Sequence, residues 1–373
     1  MLLVLSVVGT RPEAIKMAPV IQELRARPDS VRSVVCSTGQ HREMLDQVLR
    51  LFQIQPDHEL EVMEPNQTLS GLTAALIRGL DSVLCRVRPD WVLAQGDTTT
   101  VLAAALAAYY HGARFGHVEA GLRTGDKRRP FPEEVNRLIA DDIADLYFCP
   151  TERARCALLR EGKPEAAIRV TGNTVIDALL QAASMPYDWD GGPLRGLPRD
   201  RRYVLVTAHR RESFGEPFRE LCQAIRDLAE RHGPRGVHFV YPVHLNPNVR
   251  GPVLDLLAGL EFVTLLEPLD YLSLVHLMRR SVLILTDSGG IQEEAPGLGV
   301  PVLVMRDTTE RPEGVAAGVV RLVGTGRERI VAEASRFLED EGARRRMASG
   351  ANPYGDGRAA RRVVDALVEA SHC

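Results

Sequence analysis

Several features that would narrow the function at once are missing from this 373-residue sequence. It contains neither G-x-G-x-x-G nor G-x-x-x-x-G-K-[ST], the dinucleotide and P-loop fingerprints. No apolar stretch approaches the ~20 residues that span a bilayer, and no repeat of about 20–50 residues appears. The formal net charge of −3 provides no basic field for nucleic acid or an anionic membrane. We therefore expect no nucleic-acid partner, no membrane partner and no solenoid.

Cysteine is scarce, and its spacing excludes the familiar metal motifs. The six cysteines form no C-x-x-C pair and no Cys/His metal spacing; they are Cys36, Cys85, Cys149, Cys156, Cys222 and Cys373. Several lie in apolar runs, so we interpret them as packing residues in a reducing cytosol. The apolar N-terminus, Met1 to Gly9, lacks the basic region of a signal peptide and is predicted to be a buried strand. These features predict a cytoplasmic protein without a bound metal.

The length and the alternation of patterns predict two α/β domains. At 373 residues the chain exceeds the size at which single cores usually split. Short apolar strands alternate with helical patterns through both halves, which is typical of parallel sheets with right-handed crossovers. We predict Rossmann-like, doubly wound domains over residues 1–170 and 171–354. Residues 53–68 are predicted to be irregular, and Pro19 is predicted to kink or shorten the first helix.

A glycine-rich turn follows the apolar run Val282–Leu285. The turn contains Ser288, Gly289 and Gly290, and a helical pattern carrying Glu294 comes after it. Free N–H groups and the positive end of a helix dipole meet at such a turn, where a phosphate binds readily. Glu294 could accept hydrogen bonds from ribose hydroxyls. Ser-Gly-Gly is also a common plain turn, so this stretch by itself leaves both interpretations open.

Polar side chains follow nearly every predicted strand: Arg11, Asp97, Glu119, His209, His244, Ser288 and Arg306. In a doubly wound domain these positions share one edge of the sheet, and two such domains facing each other would enclose a cleft. The first domain contributes acids, and the second contributes cations and the glycine-rich turn. This division predicts acid/base chemistry in the first domain and binding of a nucleotide diphosphate in the second.

Structural explanations compete at several of these positions. Asp97 could cap the helix that follows it. Glu133 and Glu134 could stabilise a helix N-terminus through the macrodipole. A histidine after a strand, such as His209 or His244, is more often a hydrogen-bond donor to phosphate or sugar than a metal ligand.

Seven long motifs occur in order along the chain: Gly9–Lys16, Gly96–Thr100, His117–Thr124, Pro132–Arg137, Ala208–Glu212, Thr286–Pro296 and Arg306–Gly314. Together they resemble the non-hydrolysing bacterial UDP-N-acetylglucosamine 2-epimerases, over nearly the whole chain. The resemblance implies two facing domains of the glycosyltransferase-B type, with a C-terminal helix in 355–373 that packs back on the first domain. It also implies a homodimer and the reversible conversion of UDP-GlcNAc to UDP-ManNAc without an added cofactor.

The same resemblance assigns roles to individual residues. It implies that Asp97, Glu119 and Glu133 are the acid/base carboxylates, and it leaves open which of them removes the C2 proton. His209 joins the catalytic set and would also contact UDP. The other residues implied to bind substrate are Arg11, Lys16, Arg137, His244, Ser288, Gly289, Gly290, Glu294 and Arg311.

A second, allosteric substrate site occurs in many bacterial members of this family. Gln40, His41 and Arg211 match part of it, whereas Glu43 and Asn66 stand where Gln and Arg are expected. We therefore expect weak or absent activation by substrate. Three rival functions remain at this point: a UDP-sugar-dependent glycosyltransferase of the same fold, a hydrolysing epimerase, and a non-catalytic nucleotide-sugar sensor.

Overall fold

The apolar runs form the strands of two parallel sheets in a computed structural model, which describes residues 1–39, 42–64 and 66–371. The first sheet has seven strands in this part of the chain, in the order β3-β2-β1-β4-β5-β6-β7. They are β1 (Leu2–Val8), β2 (Val31–Ser37), β3 (His58–Glu59), β4 (Trp91–Gln95), β5 (Arg114–Val118), β6 (Leu146–Cys149) and β7 (Ile168–Val170). The order reverses between β1 and β4, which is the topological switch point of the sheet.

The second sheet repeats this arrangement with six strands among the described residues, in the order β10-β9-β8-β11-β12-β13. They are β8 (Arg202–Thr207), β9 (Val237–Pro242), β10 (Val263–Leu266), β11 (Ser281–Thr286), β12 (Val302–Val304) and β13 (Val320–Leu322). The switch point here lies between β8 and β11, which pair in parallel. The predicted class, two parallel-sheet α/β domains, is confirmed.

Helices connect the strands of both sheets. They are α1 (Arg11–Arg25), α2 (Arg42–Leu51), α3 (Leu69–Val87), α4 (Thr99–His111), α5 (Glu133–Ile143), α6 (Glu152–Arg160), α7 (Thr174–Ser184), α8 (Glu216–His232), α9 (Pro247–Leu257), α10 (Tyr271–Arg280), α11 (Gly289–Gly297), α12 (Pro312–Ala316), α13 (Arg327–Glu339), α14 (Glu341–Ala348) and α15 (Ala359–Ala370). None of the helices in the described ranges combines the length and apolar character that a bilayer crossing requires.

The chain divides into two compact units. Unit 1 is Met1–Ala178 with Tyr354–Cys373, and unit 2 is Leu179–Pro353. The division falls inside α7, so the boundaries at 170/171 and 354/355 stay predictions. In unit 1 the Asp177 carboxylate accepts the backbone N–H groups of Ala359 at 3.1 Å and Ala360 at 2.9 Å, and thereby holds the first turn of α15.

Helix α1 is not shortened at Pro19, which is one of the two outcomes predicted for that proline; a kink stays a prediction. The helix runs from Arg11 to Arg25 with Pro19 inside it. Thr10 and Glu13 close a capping box at its start, which satisfies orphan N–H groups there. The helix continues past the proline because Val20, Ile21 and Leu24 are buried in the core, and their burial offsets the lost backbone hydrogen bond.

Three short strands are absent from the predicted set: β3, β7 and β13. Strand β3 lies within residues 53–68, which we predicted to be irregular. Each of β7 and β13 has three residues with an arginine in the middle. These peripheral strands are only partly buried, so they lack the continuous apolar run by which a fully buried parallel strand is recognised.

Candidate active site

The loops after β4 and β5 are neighbours at the carboxyl edge of the first sheet. Gln95 and Val118 are paired in register at the ends of these two strands. Beyond them, the Gly96 N–H donates to the Val118 carbonyl at 3.0 Å. Asp97 and Glu119 are the next residues of the two loops; Asp97 follows β4, which flanks the switch point, and Glu119 follows the neighbouring strand β5. Arg11 also stands at this edge, where it opens α1 after β1.

Glu119 is held in an unusual backbone conformation. Its φ of +67° lies in the left-handed region, which a residue with a side chain adopts at a cost. Its carboxylate forms an ion pair with the Lys16 Nζ, with 2.5 Å between nitrogen and oxygen, and only 8% of the side chain is exposed. Backbone and side chain are therefore both constrained, which gives the carboxylate a defined direction.

Asp97 is fixed from α5. The Arg137 Nη2 lies 2.8 Å from Asp97 Oδ2, and the Asn136 side-chain amide donates to the Asp97 carbonyl at 2.9 Å. About a third of the Asp97 side chain, 30%, remains exposed. The alternative that Asp97 caps α4 is wrong. The N-cap residue is Thr98, whose hydroxyl accepts the Val101 N–H.

Glu133 and Glu134 differ although they are adjacent in the first turn of α5. Glu134 is buried and accepts the Thr124 and Gly125 N–H groups, each at 3.0 Å, so it braces the loop before the helix. In Glu133 the Oε2 atom is buried without a hydrogen-bond partner among the described residues. An unsatisfied buried carboxylate oxygen is costly in a folded protein and calls for a functional explanation.

Glu13 is a buried acid to which the sequence analysis assigned no role. Its carboxylate accepts the N–H groups of Gly9 at 2.6 Å and Thr10 at 2.9 Å, and it also forms a hydrogen bond with the Thr98 hydroxyl. The pKa of Glu13 is raised to about 7, mainly by burial and also by the charge of Asp97, although the hydrogen bonds from Thr98, Gly9 and Thr10 lower it. The Thr10-x-x-Glu13 capping box is the sequence signal by which this residue could have been found.

Asp287 organises the switch point of the second sheet. This fully buried residue accepts the backbone N–H groups of His209 and Arg210, both at 2.7 Å. It therefore ties the loop after β8 to the turn after β11. The His209 ring stacks on that of His244, with centroids 5.3 Å apart. Burial lowers the pKa of His209, and His244 and Arg210 lower it as well, whereas Asp287 raises it.

The glycine-rich turn forms the N-terminus of α11, as predicted. Ser288 is the N-cap residue, and Gly289 begins the helix. A Cβ built on Gly289 or Gly290 meets no described atom closer than 3.4 Å, the nearest being an Arg210 guanidinium nitrogen and a Glu294 carboxylate oxygen. Internal packing therefore does not require glycine at either position, whereas close approach of an anion to the helix N–H groups would.

The acids and cations around α11 are paired in an ordered way. Glu294 is 8% exposed, and its Oε2 accepts the Tyr271 hydroxyl at 3.0 Å. Its neighbour Glu293 forms an ion pair with Arg311. The Arg306 guanidinium contacts Glu310 at 2.8 Å and lowers the pKa of that carboxyl to about 2.

Two of the three residues predicted for the allosteric site lie outside the described residues. Gln40 and His41 are not among the described residues, whereas Arg211 is exposed at the start of a short 3-10 turn.

In the described ranges, one group of residues could hold a metal ion: Asp81, Cys85 and His111, whose ligand atoms lie within 4.8 Å of one another. All three are exposed on α3 and the C-terminal end of α4, and His111 already contacts Asp81 at 2.8 Å.

Comparison with known proteins gives one consistent result. Residues 22–368 match the family model described as UDP-N-acetylglucosamine 2-epimerase. The protein of that name from Escherichia coli K12 is 53% identical over 372 residues, which cover 98% of each chain. The crystal structure of UDP-GlcNAc 2-epimerase from Neisseria meningitidis bound to UDP-GlcNAc is 47% identical with a TM-score of 0.88, covering 99% of this chain and 100% of that one. The Methanocaldococcus jannaschii enzyme in complex with UDP-GlcNAc and UDP is 32% identical with a TM-score of 0.80, covering 99% of this chain and 100% of that one.

Proposed function

The chain belongs to the UDP-N-acetylglucosamine 2-epimerase family, and we propose that it interconverts UDP-GlcNAc and UDP-ManNAc. The observation that carries this proposal is the near full-length identity with enzymes of that name, and the acids after β4 and β5 fit the chemistry. Unit 1 supplies the acid/base groups and unit 2 binds the uridine diphosphate. The reaction needs no added cofactor, because a proton and the UDP group are the only species exchanged.

The reaction proceeds by elimination and re-addition. A carboxylate removes the C2 proton while UDP leaves from C1 on the opposite side, which yields 2-acetamidoglucal. UDP then adds back after a proton is delivered to the other face of C2. The C2 proton is weakly acidic because its neighbouring carbon is not a carbonyl, so departure of UDP must assist its removal. Asp97, Glu119 and Glu133 are the groups we assign to these proton transfers.

Unit 2 stabilises the charge that develops on the departing diphosphate. The N–H groups at the start of α11 and the guanidinium of Arg210 supply positive potential next to Gly289. His209 is kept largely neutral by burial, so it serves as a hydrogen-bond donor to the leaving group. Charge stabilisation of this kind usually carries much of an enzyme's rate enhancement. Glu294, oriented by Tyr271, is assigned to the ribose hydroxyls.

The experiment that tests this function is incubation of the purified protein with UDP-GlcNAc in D₂O. We expect UDP-ManNAc to form and deuterium to enter C2 of both sugars, as read by NMR. A glycosyltransferase or a nucleotide-sugar sensor would leave the C2 hydrogen in place. A hydrolysing enzyme would release free ManNAc and UDP. Either result would replace the proposed function.

Three properties at the periphery of this function belong to the same proposal. Glu43 and Asn66 depart from the residues expected at the allosteric site, so substrate activation is weak or absent and the rate follows simple saturation. The protein is a homodimer, which light scattering tests. It is cytoplasmic, because the five cysteines among the described residues are free thiols, as in a reducing compartment; thiol alkylation in cells tests this.

A further inference from the structure

A buried histidine connects the two loops that carry Asp97 and Glu119. His117 lies in β5 with 0% exposure, and each of its ring nitrogens is close to an oxygen atom. The Nε2 is 2.7 Å from the Gly96 carbonyl, in the residue directly before Asp97. The Nδ1 is 2.6 Å from Oδ1 of Asp141, which is also fully buried. One ring therefore bridges the loop after β4 and the last turn of α5.

Asp141 extends this bridge to the loop after β5. Its Oδ2 accepts the Gly121 N–H at 3.2 Å and lies 2.7 Å from the Arg123 guanidinium. Gly121 has a φ of +85°, and a Cβ at that position would lie 2.5 Å from the Ala154 carbonyl oxygen. The backbone of Glu119 is strained two residues earlier. The carboxylate of Asp141 therefore holds in place the tight turn that presents Glu119.

The hydrogen-bond pattern specifies the charge of His117. A carbonyl oxygen can only accept, so Nε2 must carry a proton. Asp141 is ionised, because its Oδ2 accepts the Gly121 N–H and faces the Arg123 guanidinium, and its pKa is lowered against the effect of burial; Nδ1 must therefore also donate. Burial by itself lowers the pKa of His117, but the charge and hydrogen bond of Asp141 outweigh it and raise the pKa. The ring is thus an imidazolium. The other titratable groups that interact with this pair are Arg123, which also binds Glu161, and the β6 side chains Tyr147 and Cys149, which feel the charge of Asp141.

We propose that His117 is a positioning residue: as a doubly hydrogen-bonded imidazolium it sets the spacing between the Asp97 and Glu119 carboxylates. This inference rests on the proposed function, because it concerns the two groups that act on the sugar. A neutral imidazole carries one N–H and would have to give up either the Gly96 or the Asp141 contact. A displacement of about 1 Å in a catalytic group can reduce a rate by about 10²-fold, so a buried bridge of this kind has kinetic consequences.

Two substitutions at His117 separate its hydrogen bonds. In His117→Gln the side-chain amide can reach the place of Nε2 and keep the Gly96 bond, whereas in His117→Asn it reaches only the place of Nδ1. We expect kcat for epimerisation to fall about 10²-fold in His117→Asn and about tenfold in His117→Gln. The KM for UDP-GlcNAc should stay within about twofold in both, because the diphosphate is held by unit 2. C2 exchange in D₂O should fall in parallel with kcat.

A matched control comes from a second buried histidine. His232 in α8 is 2% exposed and bonded to the Ser335 hydroxyl at 2.9 Å, in unit 2. We expect His232→Asn to lower the melting temperature and to leave kcat unchanged. A purely structural role for His117 predicts the same outcome for His117→Asn, and that result would overturn the proposal. If His117→Asn does not fold, His117→Gln decides in its place: an unchanged kcat overturns the proposal, and a lowered kcat with unchanged KM supports it.

The charge of the ring is tested without any activity measurement. Nitrogen-15 NMR of the wild-type protein, with the signals of His117 identified by their loss in His117→Gln, should show both ring nitrogens protonated at pH values around and just above 6.5, the ordinary pKa of histidine. A neutral ring in this range would overturn the imidazolium bridge. If wild-type protein neither epimerises nor exchanges C2, the proposed function fails instead, and the NMR result still reports on the bridge.

Discussion

In each unit an aspartate follows the strand on the far side of the switch point, Asp97 after β4 and Asp287 after β11, and their surroundings differ sharply. Asp287 is fully buried, and its carboxylate accepts the backbone N–H groups of His209 and Arg210 in the loop after β8. Asp97 is 30% exposed and faces the Arg137 guanidinium. The position after the strand that follows the switch point is therefore occupied in unit 2 by a buried aspartate that holds a neighbouring loop, and in unit 1 by an aspartate that solvent can reach.

The wider surroundings follow the same division. The edge of unit 1 collects carboxylates, two of which pair with a cation: Glu119 with Lys16 and Asp97 with Arg137. The edge of unit 2 collects helix N–H groups, a stacked histidine pair and uncrowded glycines. Because both sheets share one strand order, the fold does not decide the chemistry. The loops after the strands decide it, and each unit can be altered separately to test the assignment.

The largest expected effect comes from removing the acids of unit 1. We expect Glu119→Gln and Asp97→Asn each to reduce kcat by about 10²–10⁴-fold, the range typical of general acid–base groups. Affinity for UDP, measured by calorimetry, should change little, because unit 2 is untouched. Asp142→Asn, which removes an exposed acid of α5, is the matched control and should retain full activity. A collapse of UDP binding in Glu119→Gln would contradict the division of labour.

The second largest expected effect is a pH dependence of the stability of unit 1, which the buried acid Glu13 causes. The pKa of Glu13 is raised from 4.5 to about 7 on folding, so the native state binds this proton more tightly than the unfolded chain. The stabilisation is complete below about pH 4.5 and is lost as the pH rises through about 7, a change of about 3 kcal/mol. In Glu13→Gln the amide keeps an acceptor for Gly9 and Thr10 but does not titrate. Urea unfolding at about pH 5 and pH 8 should show a smaller loss of stability in the variant; equal losses would contradict the assignment.

The smallest effect addresses the glycines of unit 2. We expect Gly290→Ala to weaken UDP binding about tenfold, equivalent to about 1.4 kcal/mol, by placing a methyl group where the diphosphate approaches the helix. Stability should stay equal or rise by up to about 1 kcal/mol, since alanine favours helices over glycine. Gly251→Ala in α9, where a Cβ meets no described atom within 4 Å, is the matched control and should leave UDP affinity unchanged. Equal UDP affinities of the wild-type protein and Gly290→Ala would contradict the assignment of diphosphate binding to this turn of unit 2.

The sequence predicted the parts of the fold that local patterns encode. The sequence pattern predicts a helix from Leu69 to Val87 and a strand from Leu146 to Cys149, and α3 and β6 have these bounds. An amphipathic helix and a fully apolar strand carry their own signal. Strands β7 and β13 were missed because each interrupts two apolar residues with an arginine. The continuation of α1 past Pro19 depends on burial against the rest of unit 1, which no local pattern records.

The sequence was sufficient to predict which loops carry the residues of the candidate site. It was not sufficient to predict which of these side chains contact each other. Parallel sheets bring their carboxyl ends to one edge, and this rule placed Asp97, Glu119, His209 and Ser288 after their strands without any coordinates. The ion pair of Lys16 with Glu119 joins residues 103 positions apart, so only the structure shows it. The raised pKa of Glu13 and the doubly bonded ring of His117 also arise from burial, which spacing cannot reveal.

The return of α15 to unit 1 has a consequence for the order in which the protein can mature on the ribosome. Ala359 and Ala360 dock on Asp177, and Asp365 pairs with Arg27 at 2.6 Å. Unit 1 is thus encoded in two pieces with the whole of unit 2 between them, and its closing helix is translated after unit 2. A nascent chain that has reached Pro353 still exposes the surface that Val363, Val364 and Leu367 will cover. The acid-bearing half of the enzyme is therefore the later of the two to be completed, although its first strand is the first to be made.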